Sequence, residues 1–312
     1  MTMLDRRQWL ALLGSAALPL LATAQTRKRG HLVIIGGAED RKQDRVILKK
    51  FLELSGGNHA RIKFITAASE TPQATWQSYQ AAFDDLGVTQ CELVPIATRE
   101  DASKSEVVIQ LAQADGIFMT GGDQNLLMQC LWESPAAQAM HRAFHLNGAC
   151  IGGTSAGAAV MSRQMLAQGN ATPDPEKDMV SMNIGLGFVA NAIIDQHFSQ
   201  RQRLGRLLSA LAQRPDMLGV GIDEDTALVI ERGQSIEVVG RGSVTLLDPR
   251  KMHTNFDAID AEEKLEMLGL QLHILPAGQR YAAPIGIKQN KKQPQSLWEA
   301  VYLLAQTGPM RG

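Results

Sequence analysis

The sequence is short of several residue types that mark whole classes of protein. Aromatic residues make up only 5% of its 312 positions, too few for the stacking platforms that hold single-stranded bases. Positive charge is not in excess: 31 Lys and Arg stand against 32 Asp and Glu. A phosphate-binding surface needs a basic patch or stripe, so no nucleic-acid partner is expected. Cysteine occurs three times, at Cys91, Cys130 and Cys150, far apart and never as C-x-x-C. Neither a zinc ribbon nor a redox motif fits that spacing, and thiols in apolar surroundings read as core residues.

Long apolar runs are also scarce, and the clearest one is N-terminal. MTMLDRRQWLALLGSAALPLLATAQT has a charged start, an apolar run from Trp9 to Leu21, and Ala22-Thr23-Ala24 as an A-x-A cleavage site. Residues 1–24 therefore read as an export signal peptide. The run falls short of a membrane span. Arg6-Arg7 before Gln8-Trp9-Leu10 resembles the twin-arginine export signal, with Asp5 and Trp9 as departures, so the general secretory route stays open. The expected mature chain starts near Gln25, has no stable membrane anchor, and is periplasmic or extracellular.

The 45% of hydrophobic residues suffice for a large core, and no linker, repeat or low-complexity tract divides residues 25–312, which read as one domain. Strands and helices alternate. HLVIIGG, ARIKFITAAS, CELVPI, GIFMTGG and ACIGG are short apolar runs, several of them ending in glycine, and read as buried strands. Between them, helices are expected over roughly 41–54, 73–86, 103–114 and from 125 to 132. Such a series implies an α/β fold, a mostly parallel sheet with helices on both faces and right-handed crossovers. Ligands in these folds gather beyond the carboxyl ends of the strands, where IIGGAED, MTGGDQ and IGGTSAG would point. After Pro215 the texture changes to short apolar runs with glycine and charged turns, read as an antiparallel hairpin extension in the C-terminal third. KQNKKQPQ reads as a loop before a last helix.

Gly153-Thr154-Ser155-Ala156-Gly157 matches G-x-S-x-G, the turn that exposes a nucleophile between a strand and a helix. The N–H of Ala156 and that of Gly122, in Gly121-Gly122-Asp123, are candidate oxyanion donors. A serine needs a base, and the base an orienting acid. Among seven histidines, His197 follows an apolar strand in AIIDQHF, and alternation would place Asp195 on its face with Gln196 opposite. The acid is sought in Asp223-Glu224-Asp225, of which at most one face reaches the histidine. An α/β-hydrolase order, with Asp223 ahead of His253 or His273, stays open.

IIGGAEDR, MTGGDQ, GGTSAGAAVM, DQHFSQRQRLGRL and GIDEDTAL, taken together and in this order, resemble the cyanophycinases, serine exopeptidases grouped with the aspartyl dipeptidases. The resemblance spans roughly residues 31–230. It implies a flavodoxin-like fold akin to class I glutamine amidotransferases, with no metal or cofactor, and a homodimer. By position, Ser155 resembles the nucleophile, His197 the base and Glu224 the acid. Gln124, Asp195, Gln196, Arg203 and Arg206 resemble substrate-pocket residues. The implied substrate is cyanophycin, poly-aspartate with arginine on each β-carboxyl, cleaved at backbone aspartyl bonds to β-Asp-Arg dipeptides. Arg203 and Arg206, three apart, are expected to share a helix face as a carboxylate clamp, with Arg201 left to solvent. Asp195, Glu39 and Asp40 are expected to meet the guanidinium. An aspartyl dipeptidase-like enzyme and a secreted non-catalytic binding module are the alternatives.

Overall fold

The computed structural model describes residues 29–284, 286 and 293–310. The expected export signal and most of KQNKKQPQ lie outside the described residues. In order, the first half contains β1 (His31–Ile35), α1 (Val46–Ser55), β2 (Ile62–Ile65), α2 (Pro72–Asp85), β3 (Cys91–Leu93), α3 (Ser105–Ala112), β4 (Gly116–Met119), α4 (Gln124–Leu131), α5 (Pro135–Asn147) and β5 (Cys150–Thr154). A short α6 (Ala156–Ala159) leads into β6 (Gln164–Gly169), β7 (Val180–Ile184), β8 (Ala192–Gln196), α7 (Leu204–Gln213) and β9 (Leu218–Ile222). The chain then runs through β10 (Thr226–Glu231), β11 (Ser235–Gly240), β12 (Ser243–Asp248), β13 (His253–Thr254), β14 (Met267–Leu268), β15 (Gln271–Pro276), β16 (Arg280–Ala282) and α8 (Gln295–Ala305).

Eight strands form the main sheet in the order β16-β11-β10-β1-β5-β4-β2-β3. The five strands from β1 to β3 pair in parallel, while β10, β11 and β16 add antiparallel pairs on the β1 side. Strand β1 shows why its sequence is unbroken apolar. Val33 and Ile35 pack against α1 and α2, whereas Leu32 and Ile34 join the core shared with α3, α4 and α5. A strand covered on both faces has no polar side, and each large apolar side chain buried contributes about 1.5–3 kcal/mol. The expected flavodoxin-like α/β layering is what the chain adopts.

A second sheet, β15-β12-β9-β8, lies beside this unit. Ile194, Val220, Ile222 and Leu246 on one face join the main core, while Ile193 and Leu247 on the other pack with Leu207 and Leu211 of α7. This corrects the expectation of simple hairpins after Pro215. Strands β10 and β11 do extend the main sheet, but β9 pairs in parallel with β8 and antiparallel with β12. The turn 223–225 thus carries the chain from one sheet to the other. One helix boundary also differs. The first helix begins at Val46, because the Asp40 carboxylate accepts the N–H groups of Lys42, Gln43 and Arg45 and holds a loop there. The helix after Ser155 stops after four residues, as the chain turns into the β6–β7 hairpin. Helix α5 was not foreseen, although Ser134 accepts the Ala137 N–H, Pro135 opens it and Gly148 closes it.

Candidate active site

Ser155 stands at the carboxyl end of β5, which lies between β1 and β4 in the main sheet, with φ 52° and ψ −111°. Its N–H donates to the Ile35 carbonyl at 3.0 Å, tying the turn to β1. The flanking glycines are demanded by close approach: a Cβ on Gly153 would lie 2.3 Å from the Gly157 oxygen, and one on Gly157 2.3 Å from the Met119 oxygen. Ala156 opens α6, so its N–H has no acceptor within the helix. Gly121-Gly122 lies against the serine, since a Cβ on Gly121 would stand 3.3 Å from the Ser155 Cβ.

His197 comes from the turn after β8. Its Nε2 lies 2.9 Å from Ser155 Oγ and its Nδ1 2.6 Å from Glu224 Oε1. With Nδ1 protonated and donating to the carboxylate, Nε2 faces the hydroxyl as an acceptor. Burial lowers the His197 pKa from 6.5; the Glu224 hydrogen bond opposes this, and the nearby positive charges of Arg201 and Arg203 add to it. All three effects can be named in the structure, and their balance favours the neutral imidazole that a base requires.

The three consecutive acids have separate tasks. Glu224 reaches His197, and its N–H donates to the Gln200 side-chain oxygen at 2.9 Å. Asp223 accepts from the Ser199 N–H and hydroxyl and from the Ser243 N–H. Asp225 accepts the Asp40 N–H and pairs with Arg241 at 3.2 Å.

The expected shared face of Asp195 and His197 is not observed. Strand alternation ends at Gln196, and His197 has a positive φ of 49° that turns its ring away. Asp195 instead faces the start of α7. There Arg206 donates through Nε to Asp195 Oδ2 at 2.9 Å and through Nη2 to Oδ1. Arg206 Nη1 also donates to the Gly169 carbonyl at 2.8 Å. Arg203 reaches Asp195 at 3.4 Å and donates to the Gln196 carbonyl and side-chain oxygens. The residues expected to grip opposite ends of a substrate therefore converge, but on each other. Arg203 precedes the first residue of α7, so the helix-face argument that set Arg201 aside does not hold. Arg201 is exposed and close enough to act on His197.

Three other expected ligands are also occupied. Gln124 donates its amide to the Leu166 and Ala167 carbonyls, at 3.1 and 2.9 Å. Glu39 is buried and accepts the Tyr79 and Thr154 hydroxyls. Asp40 is taken up by the loop before α1, and its backbone hydrogen bonds hold its pKa well below the usual carboxylate range. His253 and His273 sit on β13 and β15, and the imidazole within hydrogen-bond distance of Ser155 Oγ is that of His197. Among the described residues, no group of three or more His, Cys, Asp or Glu could hold a metal ion. Gln200, Tyr79 and Thr154 were not anticipated, because their roles depend on contacts between distant segments.

A family model described as Peptidase family S51 matches residues 32–238. A cyanophycinase of Synechococcus elongatus is 41% identical over 254 residues, covering 81% of this chain and 79% of that protein. A cyanophycinase of Nostoc sp. is 40% identical over 278 residues, covering 89% and 93%. Among solved structures, a peptidase from an acI-B1 Actinobacterium matches with a TM-score of 0.63 at 24% identity, over 82% of this chain and 98% of that one, and shares the fold.

Proposed function

Because the chain belongs to peptidase family S51 and is a serine peptidase, we propose that Ser155, His197 and Glu224 are its catalytic residues. The unbroken hydrogen-bonded chain from Ser155 Oγ through His197 to Glu224 carries this assignment. His197 Nε2 takes the hydroxyl proton as Ser155 attacks the scissile carbonyl. Glu224 holds the tautomer and stabilises the imidazolium that forms. The N–H groups of Ala156 and Gly122 receive the oxyanion. His197 then protonates the leaving amine, and water releases the acyl-enzyme.

The substrate is cyanophycin, cut at backbone aspartyl bonds to β-Asp-Arg dipeptides. Support comes from the two cyanophycinases, each about 40% identical over most of this chain. The exposed Arg201 beside the site supplies positive charge for an aspartyl carboxylate. Purified cyanophycin incubated with the chain should yield β-Asp-Arg by mass analysis, and Ser155→Ala should abolish this while leaving the melting temperature near wild type. Intact polymer alongside cleaved aspartyl or isoaspartyl dipeptides would favour a dipeptidase. Near wild-type turnover by Ser155→Ala would remove the serine mechanism.

The enzyme is exported and acts on polymer outside the cell that makes it, as the charged, apolar and A-x-A segments of residues 1–24 suggest. A mature N-terminus near Gln25 by mass spectrometry supports this; an intact Met1 on protein from the cytosol contradicts it. It works as a homodimer, as the resemblance implies, which sedimentation tests directly.

A further inference from the structure

The loop after β1, residues 36–40, touches His197, the 223–225 turn that carries Glu224, and the residue before Ser155. The Gly36 carbonyl accepts the His197 N–H at 2.7 Å, and the Gly37 carbonyl accepts the Asp225 N–H at 2.9 Å. Gly37, with φ 99°, lies against the imidazole so closely that a Cβ would fall 2.3 Å from it. These contacts hold the base and the residue that follows the acid. Glu39 makes the matching contact to the nucleophile's strand.

Glu39 is only 5% exposed. One oxygen accepts the Tyr79 hydroxyl, and the other accepts the Thr154 hydroxyl at 2.5 Å. The Tyr79 ring is itself fixed, 5.3 Å from Phe64 and 5.2 Å from Phe118, with the Arg41 guanidinium 4.9 Å from its centroid. A buried carboxylate is unfavourable unless hydrogen-bonded, and no step of the serine mechanism uses this one. Thr154 is the residue immediately before Ser155. The serine backbone lies outside the ordinary basins for an L-residue, a state that persists only when its surroundings over-determine it. The Ser155 N–H to Ile35 is one restraint; the Thr154 hydroxyl on Glu39 is a second.

We propose that Glu39, gripped between Tyr79 and Thr154, is a positioning residue that holds the end of β5 and so keeps Ser155 Oγ within reach of His197. This rests on Ser155 being the nucleophile. Glu39 touches neither substrate nor the reacting atoms, so its effect is on kcat and on the reactivity of the hydroxyl rather than on KM.

The test uses the full chain and three variants. Thr154→Val removes the donor at constant shape, Glu39→Gln removes the charge, and Thr154→Ser keeps the hydroxyl. Turnover, KM, melting temperature and the maximal rate of Ser155 labelling by a fluorophosphonate are measured well below the melting temperature of every variant. Thr154→Val and Glu39→Gln should lower kcat and the labelling rate together, by up to about a hundredfold, the cost of a misplacement near 1 Å. KM should hold near wild type, and Thr154→Ser should recover most of both rates. Wild-type kcat and labelling in Thr154→Val and Glu39→Gln, whatever their melting temperatures, would overturn the proposal. So would a Thr154→Ser enzyme as impaired as Thr154→Val. Absence of labelling at Ser155 in the wild-type chain would overturn the nucleophile assignment itself, and is seen before any variant is compared.

Discussion

Asp195→Asn separates a structural ion pair from a substrate clamp. Asp195 is 1% exposed and Arg206 7% exposed, and the two meet through Nε and Nη2. Arg203 stands 3.4 Å from the same carboxylate. Neutralising Asp195 leaves two guanidinium groups facing a site without their counter-charge. Removing one partner of a buried pair costs about 3–5 kcal/mol. Asparagine keeps one acceptor oxygen for Arg206, which places the cost near the lower end, about 3 kcal/mol. At about 2–4 °C per kcal/mol for a large domain, the melting temperature should fall by about 6–12 °C. Thermal scans by circular dichroism at two scan rates, with urea titration for the slope, measure this. Combining Asp195→Asn with Arg206→Met should recover part of the loss, because no buried charge of that pair is then left alone. A melting temperature within about 2 °C of wild type, with raised KM, would refute the reasoning and return Arg206 to a direct role in binding carboxylate.

Burial holds the His197 pKa below 6.5, and catalysis uses the neutral ring, so kcat/KM should be full at neutral pH and fall as pH drops through the depressed value. The acid limb of the profile should therefore lie below pH 6.5, and Arg201→Gln should move it upward by removing a positive charge; an unmoved limb would show that Arg201 is not felt. Glu224→Gln should lower kcat by about 10⁴-fold through the wrong imidazole tautomer, with little change in KM, and a far smaller loss would place the orienting acid elsewhere. Gly37→Ala would put a Cβ 2.3 Å from the His197 ring and should lower kcat by about a hundredfold while KM stays close to wild type; unchanged turnover would mean the loop does not set the ring.

The parallel core was readable because its signal is local. A strand buried on both faces must be apolar throughout, and HLVIIGG, GIFMTGG and ACIGG announce both the strand and the glycine-rich rim where ligands collect. Motifs point to Ser155 and His197 and the family resemblance points to Glu224, and the geometry places the three in one hydrogen-bonded line. The ligand set was less legible. Asp195, Arg203 and Arg206 lie close together in the sequence, and periodicity placed two of them on a helix face. That periodicity assumed regular structure through residues 197–203, where positive φ at His197 and Gln202 breaks it.

The sequence alone determined the alternating α/β order, the apolar strands and the exposed serine turn, since each depends on residue type over a few neighbouring positions. Tertiary structure alone decided which donor each carboxylate takes. Asp195 with Arg206, Glu39 with Thr154 and Asp225 with Arg241 are contacts between segments 11, 115 and 16 residues apart. No local pattern encodes such pairings, because each carboxylate takes the donors that the packed chain brings to it, and for the buried Asp195 and Glu39 going without a partner would be costly.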